Sequence, residues 1–205
     1  MPTRVIDVGS LENDTVHLWE TGPLDKQQYV ALSHPWGHGP HFVTNVENRE
    51  QHIKGIKIND LPATFRDAVH TTRALGKRYL WIDSICIIQG PGGDFHSQAK
   101  QMETVFSSAY CVLAASRAHN QVDGFLGPRR QRDYVTLSEA DGSPFYICEY
   151  IDDFSKDVLN GHLNRRGWVL QEHALARRTV FFAETQTYFE CGDGVRCETL
   201  GKIEK

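Results

Sequence analysis

A tryptophan and a glutamate four residues apart, Trp168 and Glu172, are the pair in this sequence best suited to chemistry. On a helix, side chains at this spacing lie one above the other, so the indole and the carboxylate would share one face. An aromatic wall beside an acid can hold a small ligand and exclude water from the carboxylate. The alternative is an ordinary amphipathic helix with Trp168 buried and Glu172 solvated, because large aromatic residues are mostly buried and carboxylates mostly exposed.

Small and polar residues follow two of the apolar segments that read as strands. Segment 29–32 leads into Ser33-His34-Pro35-Trp36-Gly37, and segment 79–82 leads into Asp83-Ser84. In α/β sheets, ligands bind beyond the carboxyl ends of the parallel strands. The alternative is that Asp83 caps a turn and Ser33 satisfies a loop amide. We predict one ligand cleft, lined by Ser33, Trp36, Gly37, Asp83, Ser84, Trp168 and Glu172.

The hydrophobic pattern predicts the elements that would position these residues. Helical spacing predicts one helix from Leu61 to a stop at Gly76, and a second helix from a cap at Asp94 to Ala109. Continuous apolar strands alternating with helices predict an α/β fold with a doubly wound, mostly parallel sheet covered on both faces. Strands are predicted near 29–33, 79–83, 110–115, 179–183 and 187–191.

Three segments fall outside this alternation. Residues 1–28 predict an irregular strand or hairpin at the domain edge, and residues 38–60 predict a long irregular excursion. Segment 118–165 is rich in Gly, Asp and Arg, and predicts an inserted irregular or β segment with a hairpin around Asp141-Gly142. With 205 residues, we expect a single domain spanning 1–205.

Composition excludes several classes of partner. A net charge of −4, with 40% hydrophobic and 23% charged residues, is typical of a soluble globular protein and gives no sign of a nucleic-acid surface. The N-terminal sequence lacks the layout of a signal peptide, and no apolar run reaches the roughly 18 residues of a membrane span. We therefore expect a cytosolic protein that binds neither nucleic acid nor a membrane.

Candidate metal ligands do not form a site that the sequence supports. The five cysteines are scattered and mostly lie in apolar segments, so we expect them to be reduced and structural. His34, His38 and His41 share a loop rich in Gly and Pro, where incidental metal affinity is more common than a functional site. We predict no metal. The sequence also has no phosphate-binding glycine loop and no clustered carboxylates, which disfavours an NTPase or a nuclease.

Taken together, several segments resemble the fungal heterokaryon incompatibility (HET) domain. They occur in the family's order along nearly the whole chain, and comprise residues 29–37, 61–68, 79–89, 166–172 and 189–191. Gln98 stands where the family more usually has Glu, and Phe95 stands where it tends to have Trp. Members of this family trigger cell death when fungal cells of different genotype fuse. The resemblance implies that role for this chain.

A second, more remote resemblance supplies a chemistry. Trp168-x-x-x-Glu172 looks like the tryptophan-cysteine-x-x-glutamate helix of TIR domains, with Val169 where TIR domains often have Cys. This resemblance implies a TIR- or flavodoxin-like sheet, with NAD as substrate and no further cofactor. It also implies that Glu172 is the catalytic residue for splitting NAD into nicotinamide and ADP-ribose. One carboxylate can suffice, since the leaving group is already cationic and needs no general acid.

Two functions therefore remain open from the sequence. The first is a cell-death effector that hydrolyses NAD. The second is a non-enzymatic signalling module that acts by self-association or by binding a regulatory partner, with Trp36 and Trp168 as interface anchors. The two differ in whether killing requires the charge of Glu172.

Overall fold

The fold is described from a computed structural model, which covers residues 1–129, 133–165, 169–198 and 201–203. Within these ranges the strands are β1 (Arg4–Asp7), β2 (Thr15–Glu20), β3 (Tyr29–Ser33), β4 (Thr44–Asn45), β5 (Ile56–Lys57), β6 (Tyr79–Trp81), β7 (Ile88–Gln89), β8 (Cys111–Ala114), β9 (Tyr134–Ser138), β10 (Pro144–Cys148), β11 (Arg178–Phe182), β12 (Thr187–Cys191), β13 (Gly194–Cys197) and β14 (Lys202–Ile203). The α-helices are α1 (Arg49–Lys54), α2 (Ala63–Ala74), α3 (Asp83–Cys86), α4 (Phe95–Ala99), α5 (Met102–Ser108) and α6 (Val169–Leu175). Ile58–Asp60 and Leu163–Arg165 form 3₁₀ turns, and Ser155–Leu159 forms a π-helical turn.

Four strands at the centre of a ten-stranded sheet run parallel, in the order β6-β3-β8-β11. Their parallel arrangement confirms the prediction for these segments. Every residue of β3 and β8 is buried, as expected of strands covered on both faces. The chain leaves β3 for β6 on one side and later returns to β8 on the other. The sheet therefore has a topological switch point between β3 and β8, where ligands collect in α/β folds.

The flanking strands correct the prediction of a mostly parallel sheet. The full order is β14-β13-β12-β11-β8-β3-β6-β1-β2-β5, and only three of its nine pairings are parallel. The connection 183–186 between β11 and β12 is too short for a parallel crossover, which takes a dozen or more residues. The observed fold is a mixed α/β architecture with a partly parallel sheet, rather than specifically a flavodoxin-like one.

Helices cover both faces of the parallel strands. The Tyr29 hydroxyl donates to the Val105 carbonyl of α5 at 2.5 Å, and α5 packs against α6 on the same face. On the other face, the His34 ring stands edge-on to Phe65 of α2, with ring centroids 5.0 Å apart. Because side chains alternate along a strand, Ser33 points to the face of α5 and α6. This alternation decides which helix can reach the end of β3.

Several elements differ from the sequence prediction. Helix α2 is present as predicted, but the second predicted helix is divided into α4 and α5 at Lys100-Gln101. The segment predicted as an irregular excursion contains α1, whose one buried residue, His52, gives no apolar periodicity to detect. The hairpin predicted around Asp141-Gly142 is formed by β9 and β10. None of the helices in the described ranges has the length and apolar character needed to cross a bilayer.

Candidate functional site

A buried serine–glutamate pair lies at the switch point of the sheet. Ser33 is the last residue of β3, and Glu172 lies on α6. The Ser33 hydroxyl donates to Glu172 Oε2 at 2.5 Å, and the two residues are 3% and 4% exposed. A buried carboxylate is stable only when hydrogen-bonded or paired, so this contact fixes where the charge of Glu172 can lie.

Asp83 holds the second carboxylate of the site. It begins α3 directly after β6, and its Oδ1 accepts the backbone N–H of Ser84 at 2.7 Å. Its Oδ2 accepts the indole N–H of Trp36 at 2.8 Å. His34 Nδ1 lies 3.8 Å from Oδ1, behind the carboxylate. Asp83 therefore binds the backbone amide of the next residue, without a side-chain hydrogen bond that caps α3, and it also orients the Trp36 ring.

A cavity of about 170 Å³ lies between the two carboxylates. It is lined by Trp36, Asp83, Ile87, Gln89, Phe95, Met102 and Glu172. Two acids and an indole thus face a space whose other walls are mainly apolar. Its volume suits one ring or one sugar, since pockets for whole drug-sized ligands run from about 300 to 1,000 Å³.

Arg4 supports the wall of this cavity from the edge of the sheet. Its buried guanidinium donates through Nε to the Cys86 carbonyl at 2.8 Å and also binds the Asp94 carboxylate. Asp94 Oδ1 in turn accepts the backbone N–H of Ile88 at 2.8 Å. Asp94 precedes α4 as predicted, yet its side chain forms no helix cap. The loop between Gln89 and Phe95 is instead anchored to β1.

A column of aromatic rings begins at His34, beside the Asp83 carboxylate. His34 meets Phe65 edge-on, Phe65 meets Phe42 with centroids 6.3 Å apart, and Phe42 stacks on His52 at 5.5 Å. Thr44 Oγ1 lies 2.9 Å from His52 Nδ1, and burial lowers the pKa of His52. The column connects α1 to the site through packed rings.

The structure brings four of the seven predicted site residues together. Trp36, Asp83 and Glu172 line the cavity, and Ser33 binds Glu172. Ser84 is fully buried beside Asp83 and does not line the cavity. Gly37 does not line the cavity either, and its Cα packs against the loop at Asn120. Trp168 lies outside the described residues, so its predicted role stays a prediction.

Residues 87–102 and Arg4 contribute to the site in ways that the sequence reasoning missed. Phe95 and Met102 lie within the helix predicted from Asp94 to Ala109, and Gln89 lies within a segment that resembles the HET family, but none of the three was predicted as a site residue. Their signal is proximity in sequence, because the chain turns back beside Asp83 directly after α3. Nothing in the sequence of segment 1–28, which was predicted to form an irregular strand or hairpin, distinguished Arg4. His34, predicted to share a loop with His38 and His41 and to have only incidental metal affinity, is buried at 2% exposure.

No three His, Cys, Asp or Glu side chains of the described ranges come together as a metal site would require.

Comparison with known proteins gives one finding. The model of the family described as "Heterokaryon incompatibility protein (HET)" matches residues 29–172, which is more than half of the chain. No curated protein and no solved structure matches the chain. The matched segment begins at β3 and ends at Glu172, so it contains Ser33, Trp36, Asp83 and Glu172. The chain therefore belongs to the heterokaryon incompatibility family.

Proposed function

We propose that this domain is a cell-death effector of fungal heterokaryon incompatibility, and that it acts by hydrolysing NAD to nicotinamide and ADP-ribose. Membership of the HET family implies the role in incompatibility and cell death. The hydrolysis of NAD is proposed in addition to that role. The observation that carries it is the buried Glu172 carboxylate, bound by Ser33 and facing Asp83 across one small cavity.

The proposed reaction breaks the bond between C1′ of the ribose and the nicotinamide nitrogen. The bonding electron pair goes to the pyridinium nitrogen, which leaves as neutral nicotinamide. The ribose passes through an oxocarbenium-like state, which Glu172 stabilises by its negative charge. A water oxygen then bonds to C1′, and its proton is released to Asp83 or to solvent. Low local dielectric makes the charge of a buried carboxylate more effective than the same charge in water.

The size and shape of the cavity limit how NAD binds. A space of about 170 Å³ admits the nicotinamide ring and part of its ribose, so the adenosine half must lie outside it. Trp36 and Phe95 offer flat apolar surfaces for the ring, and the hydrogen bond to Asp83 keeps the Trp36 indole in place. Glu172, Asp83 and Gln89 are then the polar groups available to the ribose.

The test is Glu172→Gln, which retains shape but removes the charge. We expect the variant to keep its fold and lose roughly 100- to 1,000-fold in turnover, as when one electrostatic contact to a transition state is removed. Glu103→Gln is the matched control, because Glu103 lies exposed on α5 and outside the cavity. Purified proteins are mixed with NAD, and nicotinamide is measured.

Measuring cell killing together with cellular NAD separates this proposal from the second candidate. That candidate is a signalling module that kills by assembly without chemistry, and an exposed apolar hairpin, β9–β10, favours it. If Glu172→Gln kills fully and NAD stays undiminished at matched protein levels, the enzyme proposal fails. Parallel loss of killing and of NAD consumption supports it.

A further inference from the structure

The hairpin formed by β9 and β10 stands apart from the rest of the molecule. Its two strands pair only with each other, and every residue in both is exposed. A two-stranded hairpin in water is marginally stable at best unless it packs against something. Within the described residues this hairpin forms a sheet of its own and does not pair with the ten-stranded sheet.

One face of this hairpin is apolar throughout. Residues directly opposite in an antiparallel pair share a face, and the register pairs Val135 with Ile147 and Leu137 with Phe145. Their exposed fractions are 61%, 55%, 41% and 39%, in that order. A contiguous apolar patch of this kind on a folded domain marks an interaction surface.

The same segment carries only negative charge. Between 133 and 153 the sequence has no Lys or Arg and six carboxylates, namely Asp133, Glu139, Asp141, Glu149, Asp152 and Asp153. Arg130 and Arg132 precede the hairpin in the chain and lie outside the described residues. Two such hairpins would repel each other if they met face to face. A basic surface is therefore the electrostatic complement of this hairpin.

A basic groove lies at the opposite edge of the sheet. It encloses about 720 Å³ beside the amino end of β6, and its charged lining is Asp7, Arg73, Lys77 and Arg78, with the exposed Leu11 at its rim. Lys77 Nζ lies 3.9 Å from the centre of the Tyr110 ring, which Arg178 also approaches from the start of β11. Arg78 is paired with Asp7, and the buried Arg73 donates to the Val8 carbonyl. The positive charge of this surface therefore comes from Lys77 and, beside the groove, from Arg178.

The hairpin and the groove of one chain cannot meet. Gln186 Nε2 donates to the Ile151 carbonyl at 3.0 Å, which fixes the base of the hairpin to the β11–β12 turn at the carboxyl edge of the parallel strands. The groove lies at their amino edge. From the opposite charges and the exposed apolar face, we infer that the acidic hairpin of one copy docks into the basic groove of a second copy, head to tail. Such contacts are heterologous, so they build rings or open chains.

The test is sedimentation velocity of the whole domain over a range of concentrations, without NAD. We expect the average mass to rise with concentration at low salt and to fall in 1 M salt, where the screening length shrinks to about 3 Å. A hairpin variant, Glu139→Lys with Glu149→Lys, should weaken association at least about tenfold through like-charge contacts. A groove variant, Leu11→Glu with Lys77→Glu, should do the same.

Mixing the hairpin variant with the groove variant is the decisive experiment. Each retains one unaltered surface, so the mixture should form heterodimers that neither variant forms alone. Glu47→Lys with Glu103→Lys makes the same change in net charge as the hairpin variant, at exposed sites away from both surfaces, and should associate like the unaltered domain. The inference fails if the unaltered domain stays monomeric at low salt. It also fails if the groove variant associates normally, which would mean that hairpins pair with each other.

Discussion

Replacing Gly37 by alanine tests whether this residue serves packing or ligand binding. Gly37 was predicted to bind substrate, but the structure places it against the loop that contains Asn120. Its φ is 77°, and a Cβ built there would lie 2.3 Å from Asn120 Cβ and 3.0 Å from Asn120 Cα. Gly39, two residues along, has a φ of 102° and open space where its Cβ would lie. The two glycines therefore differ in crowding and resemble each other in backbone conformation.

The structure gives the expected magnitudes. A non-glycine residue at positive φ costs about 1–2 kcal/mol. Loss of glycine's freedom in the unfolded chain returns about 0.4–1 kcal/mol, so Gly39→Ala should lower the free energy of unfolding by about 1 kcal/mol. At Gly37 the methyl group also meets atoms that cannot swing away, and such overpacking adds about 1–3 kcal/mol. We expect Gly37→Ala to lower the free energy of unfolding by about 2–4 kcal/mol.

Urea unfolding followed by circular dichroism measures both free energies. For a chain of this length each kcal/mol shifts the melting temperature by about 2–4 °C, so a thermal scan provides a second reading. If the two variants differ by less than about 0.5 kcal/mol, which is near the error of such comparisons, the close contact with Asn120 is refuted. Loss of NAD hydrolysis in Gly37→Ala with unchanged stability would restore the predicted binding role.

Two further predictions concern the supports of the site. Arg4→Met should lower the free energy of unfolding by about 2–3 kcal/mol, because it leaves the Asp94 carboxylate without its cation, and should speed hydrogen exchange in residues 88–95. Arg49→Met, whose ion pairs with Glu20 and Glu50 lie at the surface, should cost at most about 1 kcal/mol, and equal losses in the two variants would contradict this account. Burial lowers the pKa of His52 below 6.5, so the unfolded chain takes up a proton that the folded chain does not, and the free energy of unfolding should fall as the pH drops below 6.5. His52→Gln should flatten that dependence in unfolding curves between about pH 5 and 7, and an unchanged slope would assign the titration to other groups.

The central strands could be predicted because burial on both faces leaves continuous apolar runs, as in 29–33 and 111–114. Their parallel direction followed from the helices between them. The antiparallel flanks escaped prediction because the inference of a parallel sheet was extended to segments joined by short turns, such as 183–186. Helix α1 escaped because its stability comes from packing of His52 against Phe42 rather than from an apolar stripe.

The site could be predicted in part for a similar reason. Ser33 ends β3 and Asp83 follows β6, and the parallel topology brings the carboxyl ends of these strands to one edge. Glu172 was found from its spacing to Trp168, yet its partner Ser33 depends on a contact across 139 residues that no local pattern contains. Arg4 is the extreme case. This one cation in β1 supports a loop more than eighty residues away, and only the tertiary structure reveals it.

The distance in sequence between Ser33 and Glu172 determines when, during synthesis, both residues of the pair are present. Chains fold as they are synthesised, from the N-terminus onward. Strands β3, β6 and β8 and helices α2 and α5 all precede α6 in the chain, so Ser33 is made 139 residues before the carboxylate that it binds. A nascent chain, or one truncated by a premature stop before residue 172, lacks the group proposed to stabilise the ribosyl cation. If the proposal holds, no NAD hydrolysis can begin until translation has passed residue 172.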